Sequence, residues 1–141
     1  MRAIPAALRR LVIEVAGGRC EYCRLPDNYS PGSFAVDHVQ PLSREGDDNQ
    51  GNLAYACPGC NGSKHDKIEA IDPLTSALVP LFNPRNQLWR EHFRWSDDWL
   101  LVIGLTETGR ATTESLQLNR MGVVNLRRVL LPDGLHPPRD A

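Results

Sequence analysis

Cys20-Glu21-Tyr22-Cys23, Asp37-His38-Val39, Asn52-Leu53 and Cys57-Pro58-Gly59-Cys60-Asn61 are the residues on which the reading of this 141-residue chain turns. The two C-x2-C pairs offer four thiolates, the ligand set of a structural tetrahedral zinc site. Between them a carboxylate stands next to an imidazole, the pairing that metal-assisted hydrolysis uses. The stretch separating the pairs is longer than in compact paired-knuckle zinc modules. The expected zinc therefore closes a loop, and that loop is expected to carry an active site. Structural zinc contributes roughly 10 kcal/mol or more to the folding of small modules. Such a staple suits a modest core in a chain with 11 Pro and 11 Gly.

The length fits one compact domain with at most a small appended unit. With 41% hydrophobic and 23% charged residues, the composition is that of a soluble globular protein. No apolar run approaches the ~20 residues of a membrane span. The stretch from Met1 to Arg10 has two adjacent arginines but no apolar segment and cleavage site after them, so a cytoplasmic location is expected. Thiols stay reduced there, which favours zinc over any of the three ways of pairing four cysteines. A formal net charge of −1 argues against a strongly basic nucleic-acid binder. The charge is uneven, however: five Arg against two acids over 1–24, three Lys or Arg against eight acids over 25–75, and seven Arg against five acids over 76–128. An acidic centre between arginine-bearing ends suits a metal centre with phosphate-gripping edges. Ordinary scatter of surface charge accounts for it equally well.

Pro5 to Ala16 predicts a helix, with Leu8, Leu11, Val12 and Val15 on one stripe and Gly17-Gly18 ending it. Residues 24–33 predict loop, Phe34 to Val39 a strand stopped by Pro41, and Ser43 to Gly51 a polar acidic loop. A second short strand is expected over Asn52–Ala56, then a tight knuckle, then a polar helix from Asn61 to Ala70. Pro73 to Pro84 reads as an apolar connector. Further on, a hairpin is expected between Trp99–Leu105 and Arg110–Thr112, turning at Thr108-Gly109. Thr113 to Leu131 has a helical pattern weakened by Gly122, and residues 132–141 read as a loose tail.

Taken together, C-x2-C, Asp37-His38-Val39-x-Pro41, Asn52-Leu53 and Cys57-x2-Cys60-Asn61-x2-Lys64 resemble the HNH endonuclease family, in its zinc-stapled four-cysteine type. The resemblance spans roughly residues 17–70, about 40% of the chain. It implies an α+β fold: a small ββα-metal (His-Me finger) core with an N-terminal helix and a C-terminal hairpin and helix extension. The implied division is residues 1–72 for helix and nuclease core, and 73–141 for an extension packing on the core. It implies that His38 is the general base; an imidazole with ordinary pKa near 6.5 is suited to that at neutral pH. Asp37 is implied as ligand to a catalytic divalent metal, Mg2+ or Mn2+, which prefers hard oxygen donors. Asn52 is implied to hold the long loop and orient the base. Asn61 stands where the family more often has its final His, and its carbonyl oxygen shifts preference toward Mg2+ or Mn2+.

Each implied role has a competitor. Adjacent strand residues point to opposite faces, so Asp37 and His38 serve one site only where the strand ends or bulges. Asp37 as a partner fixing the imidazole, His38 as a structural histidine, and Asn52 as a simple turn residue are the alternatives. Asn61 has the rival role of helix N-cap. His65 is an alternative ligand out of register with the motif. His92 lies among Trp89, Phe93, Arg94 and Trp95, a stretch that either grips nucleic acid or packs as an aromatic cluster. Lys64, Arg94, Arg110, Arg127 and Arg128 are candidates for phosphate contact, or else solvated charges. The function expected is hydrolysis of DNA phosphodiester bonds, with RNA not excluded. The alternative is a non-catalytic zinc module binding nucleic acid or protein. Oligomeric state is open.

Overall fold

The computed structural model describes residues 4–139, so the expected features at residues 1–3 and 140–141 lie outside it. Helix α1 (Ala6–Ala16) forms where expected and stops at Gly17, whose left-handed backbone (φ 65°) closes the last turn. Its buried stripe differs from the expected one. Val12 is fully buried and Leu8, Ile13 and Ala16 pack on the core, while Leu11 and Val15 face outward. The helix therefore seats on the i, i+4 row, and two apolar residues of the expected stripe are left over.

Strand β1 (Ala35–His38) pairs antiparallel with β2 (Leu53–Ala56), bringing His38 opposite Leu53 and Asp37 opposite Ala54. Every residue of β2 is buried, because α1 packs against it while β1 takes its edge. Helix α2 (Pro58–Lys64) follows directly and packs on β1. It is shorter than expected: the chain turns at His65, and residues 69–71 are strand instead of helix. Asn61 to Ala70 combines Gly62 with few apolar residues, too little to propagate a helix past its first two turns.

The second half corrects the sequence reading at several points. Strand β3 (Glu69–Ile71) pairs with β4 (Leu78–Pro80), so the expected connector Pro73 to Pro84 contains one strand of a hairpin. After α3 (Trp89–His92), β5 (Phe93–Trp95) pairs with β6 (Val102–Gly104), turning at residues 96–101. The expected hairpin at Thr108-Gly109 is instead helix α4 (Glu107–Ser115), nucleated by Thr106, whose Oγ1 accepts the Gly109 N–H at 3.0 Å. The long helix expected from Thr113 is broken at residues 116–120 and resumes as α5 (Met121–Leu130). Among the described residues the strands form three separate two-stranded sheets.

One apolar cluster joins both halves. Val12, Leu53 and Phe34 belong to it, as do Phe82, Trp89, Trp95, Leu116 and Val123. Trp89 stacks within 5.0 Å of both Phe93 and Trp95, and its Nε1 donates to the Tyr22 carbonyl at 3.0 Å, tying α3 to the first cysteine knuckle. The aromatic stretch around His92 is therefore packed core and offers no face for stacking on bases. No described helix is long and apolar enough to cross a membrane.

Candidate functional site

The first knuckle follows α1. The Cys20 N–H bonds the Leu25 carbonyl and the Arg24 N–H bonds the Cys20 carbonyl, a tight return that Arg24 completes with positive φ. The second knuckle is the start of α2, where Cys57 caps the helix: its Sγ accepts the Cys60 N–H at 3.4 Å. All four cysteines are buried and unpaired by disulfide, and their sulfurs lie within 4.8 Å of one another, Cys23 and Cys57 being 3.7 Å apart. A tetrahedral zinc with ~2.3 Å bonds sets its sulfurs about 3.8 Å apart, so the donor set and its spacing fit a zinc ion. The three neighbouring thiols, by hydrogen bonding, hold the Cys57 thiol well below the usual thiol range.

Two arginines complete this centre: Arg120, which the sequence did not single out, and Arg127, which was expected to contact phosphate. Arg120, at the entry to α5, donates from Nη2 to Cys57 Sγ at 3.2 Å and from Nη1 to Cys60 Sγ at 3.6 Å. The thiolates hold its guanidinium above its ordinary pKa despite burial. Arg127, fully buried, donates to the carbonyls of Cys23, Leu118 and Leu100, and lies 5.0 Å over the Trp95 ring. A four-thiolate zinc centre carries a net charge of −2, and a cation hydrogen-bonded to its sulfurs offsets that charge where water cannot.

On the other side of α2 an open cavity of about 310 Å3 is lined by Asp37, His38, Leu42, Asn61 and His65 among others. Strand β1 ends at His38, and both Asp37 and His38 are among the residues lining this one cavity. Asp37 is buried and accepts the Tyr22 hydroxyl at 2.8 Å and the Lys64 ammonium at 3.2 Å. Burial pushes its carboxyl upward in pKa, against the pull of Lys64 and Tyr22. His38 Nε2 meets Asp48 Oδ1 at 2.8 Å.

Asn52 forms a three-way clamp. Its Oδ1 accepts the Gln40 N–H at 2.7 Å, and its Nδ2 donates to the carbonyls of Gln40 at 2.9 Å and Asp47 at 2.8 Å. The loop is pulled so close that a Cβ at Gly46 would run into the Gln40 carbonyl, a position only glycine fills. Asn61 is not the helix cap: Cys57 is, and the Asn61 N–H bonds the Cys57 carbonyl inside the first turn. Its side chain makes no hydrogen bond among the described residues and lines the cavity. His65 lines the same cavity, with its ring largely exposed and paired with Asp66 at 3.1 Å.

Residues 20–67 match the family model described as HNH endonuclease. The matched stretch is 48 of the 141 residues, about a third of the chain. The family implies nuclease-type chemistry with metal binding and a nucleic-acid substrate. No curated protein and no solved structure matches the chain.

Around the matched stretch, three of the five expected phosphate contacts have other duties. Lys64 is 1% exposed, and its ammonium is spent on Asp37 and on the His38 and Val39 carbonyls at 3.1 and 3.2 Å. Arg127 is the buried brace already described. Arg110 forms a two-pronged pair with the buried Asp72, at 3.0 and 2.9 Å, that fastens α4 to the β3–β4 turn. Arg94 and Arg128 stay exposed, bonding the Trp95 carbonyl and Asn125 respectively.

Proposed function

We propose that this protein is a metal-dependent endonuclease that hydrolyses DNA phosphodiester bonds, with β1, β2 and α2 as a ββα-metal core. The observation that carries the reading is one cavity lined by His38, Asp37 and Asn61, with Asn52 clamping the loop beside it. Zinc at the four cysteines is the staple holding α2 against the first knuckle, and takes no part in the reaction. A second divalent ion, Mg2+ or Mn2+, when bound supplies charge neutralisation on the phosphate and on the leaving oxygen.

Asp37 and Asn61 are the residues to hold that ion, through hard oxygen donors. The fit is supported on both sides. A carboxylate has about four acceptor positions, so Asp37 keeps capacity beyond Tyr22 and Lys64, and the Asn61 amide is uncommitted. His38 takes the proton of the attacking water. Asn52 fixes the His38–Gln40 backbone and with it the direction of the ring. Lys64, by bonding the His38 carbonyl and Asp37, ties α2 to the end of β1 and keeps base and ligands in register.

The same Lys64–Asp37–Tyr22 network is the observation that favours a second reading, a non-catalytic zinc module in which Asp37 is structural. Plasmid nicking separates the two. The nuclease reading expects cleavage with Mg2+ or Mn2+, stopped by EDTA and reduced roughly 10²–10⁴-fold in His38→Ala. Zinc-loaded, folded protein that binds DNA but never cuts it under either ion supports the module.

A further inference from the structure

The acidic loop between β1 and β2 holds a residue that neither the motif nor the family match singles out. Asp48 Oδ1 stands 2.8 Å from His38 Nε2, ten residues away in sequence. The pair is sheltered: the side chains are 29% and 21% exposed. His38 is among the residues lining the open cavity and Asp48 is not. The ring's other nitrogen, Nδ1, makes no hydrogen bond among the described residues.

The loop geometry delivers Asp48 to this position. Asn52 Nδ2 holds the carbonyl of Asp47, the preceding residue, and the Gly46 N–H bonds the Pro41 carbonyl at 2.9 Å. Asp47 itself turns away, accepting the Asn49 N–H and side chain at 3.1 and 2.9 Å. Of two adjacent acids, one shapes the loop and the other meets the imidazole.

We propose that Asp48 is a positioning residue for His38: it accepts the Nε2–H, fixes the neutral ring in that tautomer, and presents the Nδ1 lone pair to the cavity. This rests on the reading of His38 as general base. A neutral imidazole has one donor and one acceptor nitrogen, and the partner of one decides the role of the other. Acceptance at Nε2 by a carboxylate makes Nδ1 the acceptor, the form needed to take a proton from water. Asn52 thus sets the backbone beneath the ring, and Asp48 sets the ring itself.

The test compares zinc-loaded wild type, Asp48→Asn, Asp48→Glu and His38→Ala. It reads steady-state cleavage of an oligonucleotide duplex with Mn2+ and the ring ¹⁵N shifts of His38. Asp48→Asn is expected to keep zinc, melting temperature and KM while losing roughly 10–100-fold in kcat, the usual effect of removing the partner that orients a functional imidazole. Asp48→Glu, which keeps a carboxylate, is expected to recover part of that loss. The ¹⁵N shifts should report an Nε2–H ring in wild type and a mixture of tautomers in Asp48→Asn. Wild-type kcat in Asp48→Asn, or a loss confined to KM, overturns the proposal. A wild type that does not cut, or a His38→Ala that cuts as well as wild type, defeats the endonuclease reading. In that event the ¹⁵N shifts alone decide whether Asp48 fixes the ring, unchanged shifts in Asp48→Asn counting against it.

Discussion

Asn61 and Lys64 sit one helical turn apart on α2 and do opposite things with their polarity. Asn61 lies inside the helix among the residues lining the cavity, and the cap belongs to Cys57. Asn61→His is therefore expected to leave the melting temperature nearly unchanged. It should move the preferred ion from Mg2+ toward Ni2+, Co2+ or Zn2+, since imidazole suits those metals better than amide oxygen does. Cleavage rates across a metal series, beside a thermal melt, check it; an unaltered series would remove Asn61 from the ligand set and make His65 the next to test. Lys64 carries the opposite liability. It and Asp37 are both buried, and removing one partner strands the other's charge. Lys64→Met should cost about 3–5 kcal/mol in urea unfolding of the zinc-loaded protein. The same change in an Asp37→Asn background should cost clearly less, and equal costs in the two backgrounds would show that the pair is not coupled.

At the scale of elements, two helical glycines separate intrinsic propensity from packing. In α4, a Cβ on Gly109 would run into the His92 carbonyl, which marks how closely the helix approaches the start of β5. In α5, Gly122 has open space around its Cβ position. Alanine is the better helix former by about 1 kcal/mol in both. Gly122→Ala is expected to stabilise by up to that amount, whereas Gly109→Ala should destabilise because backbone must move. Urea midpoints of the two variants measure this, and a stabilised Gly109→Ala would disprove the close approach. Gly109 was legible as a special position, but its local sequence pointed to a turn. Thr106 as N-cap and the contact with His92 decide for helix, and that contact joins positions 17 residues apart.

For the whole molecule, the four-cysteine centre is where the two halves meet. Cys57→Ser should give insoluble or unfolded protein, and elemental analysis of wild type should find about one tightly held zinc, because thiolate ligation couples metal binding to folding. Arg120 reaches the same sulfurs from 60 and more residues away. Arg120→Ala is expected to keep the stoichiometry while loosening zinc roughly 10–100-fold in competition with a chelator. Unchanged competition would make the Arg120 contacts incidental. The exposed Arg94 and Arg128 remain the second half's candidates for gripping phosphate. Their alanine variants should weaken DNA binding and its salt dependence without touching zinc.

The sequence by itself determined the cysteine frame and the strand–loop–strand–helix order through Asn61, and it singled out Asp37, His38, Asn52 and Asn61 as candidates for one site. These are short-range patterns: metal ligands, caps and clamps are written in fixed spacings within some 40 residues. Tertiary structure alone decided that Lys64 is a buried brace and not a phosphate contact, and that Arg110 is spent on Asp72. It also decided that Arg120 and Arg127 serve the cysteine centre, and that Asp48 meets the His38 ring. A charged side chain looks the same in sequence whether solvated or paired. Its role is fixed only when folding brings a partner from up to 116 positions away and removes the water that would otherwise have satisfied it.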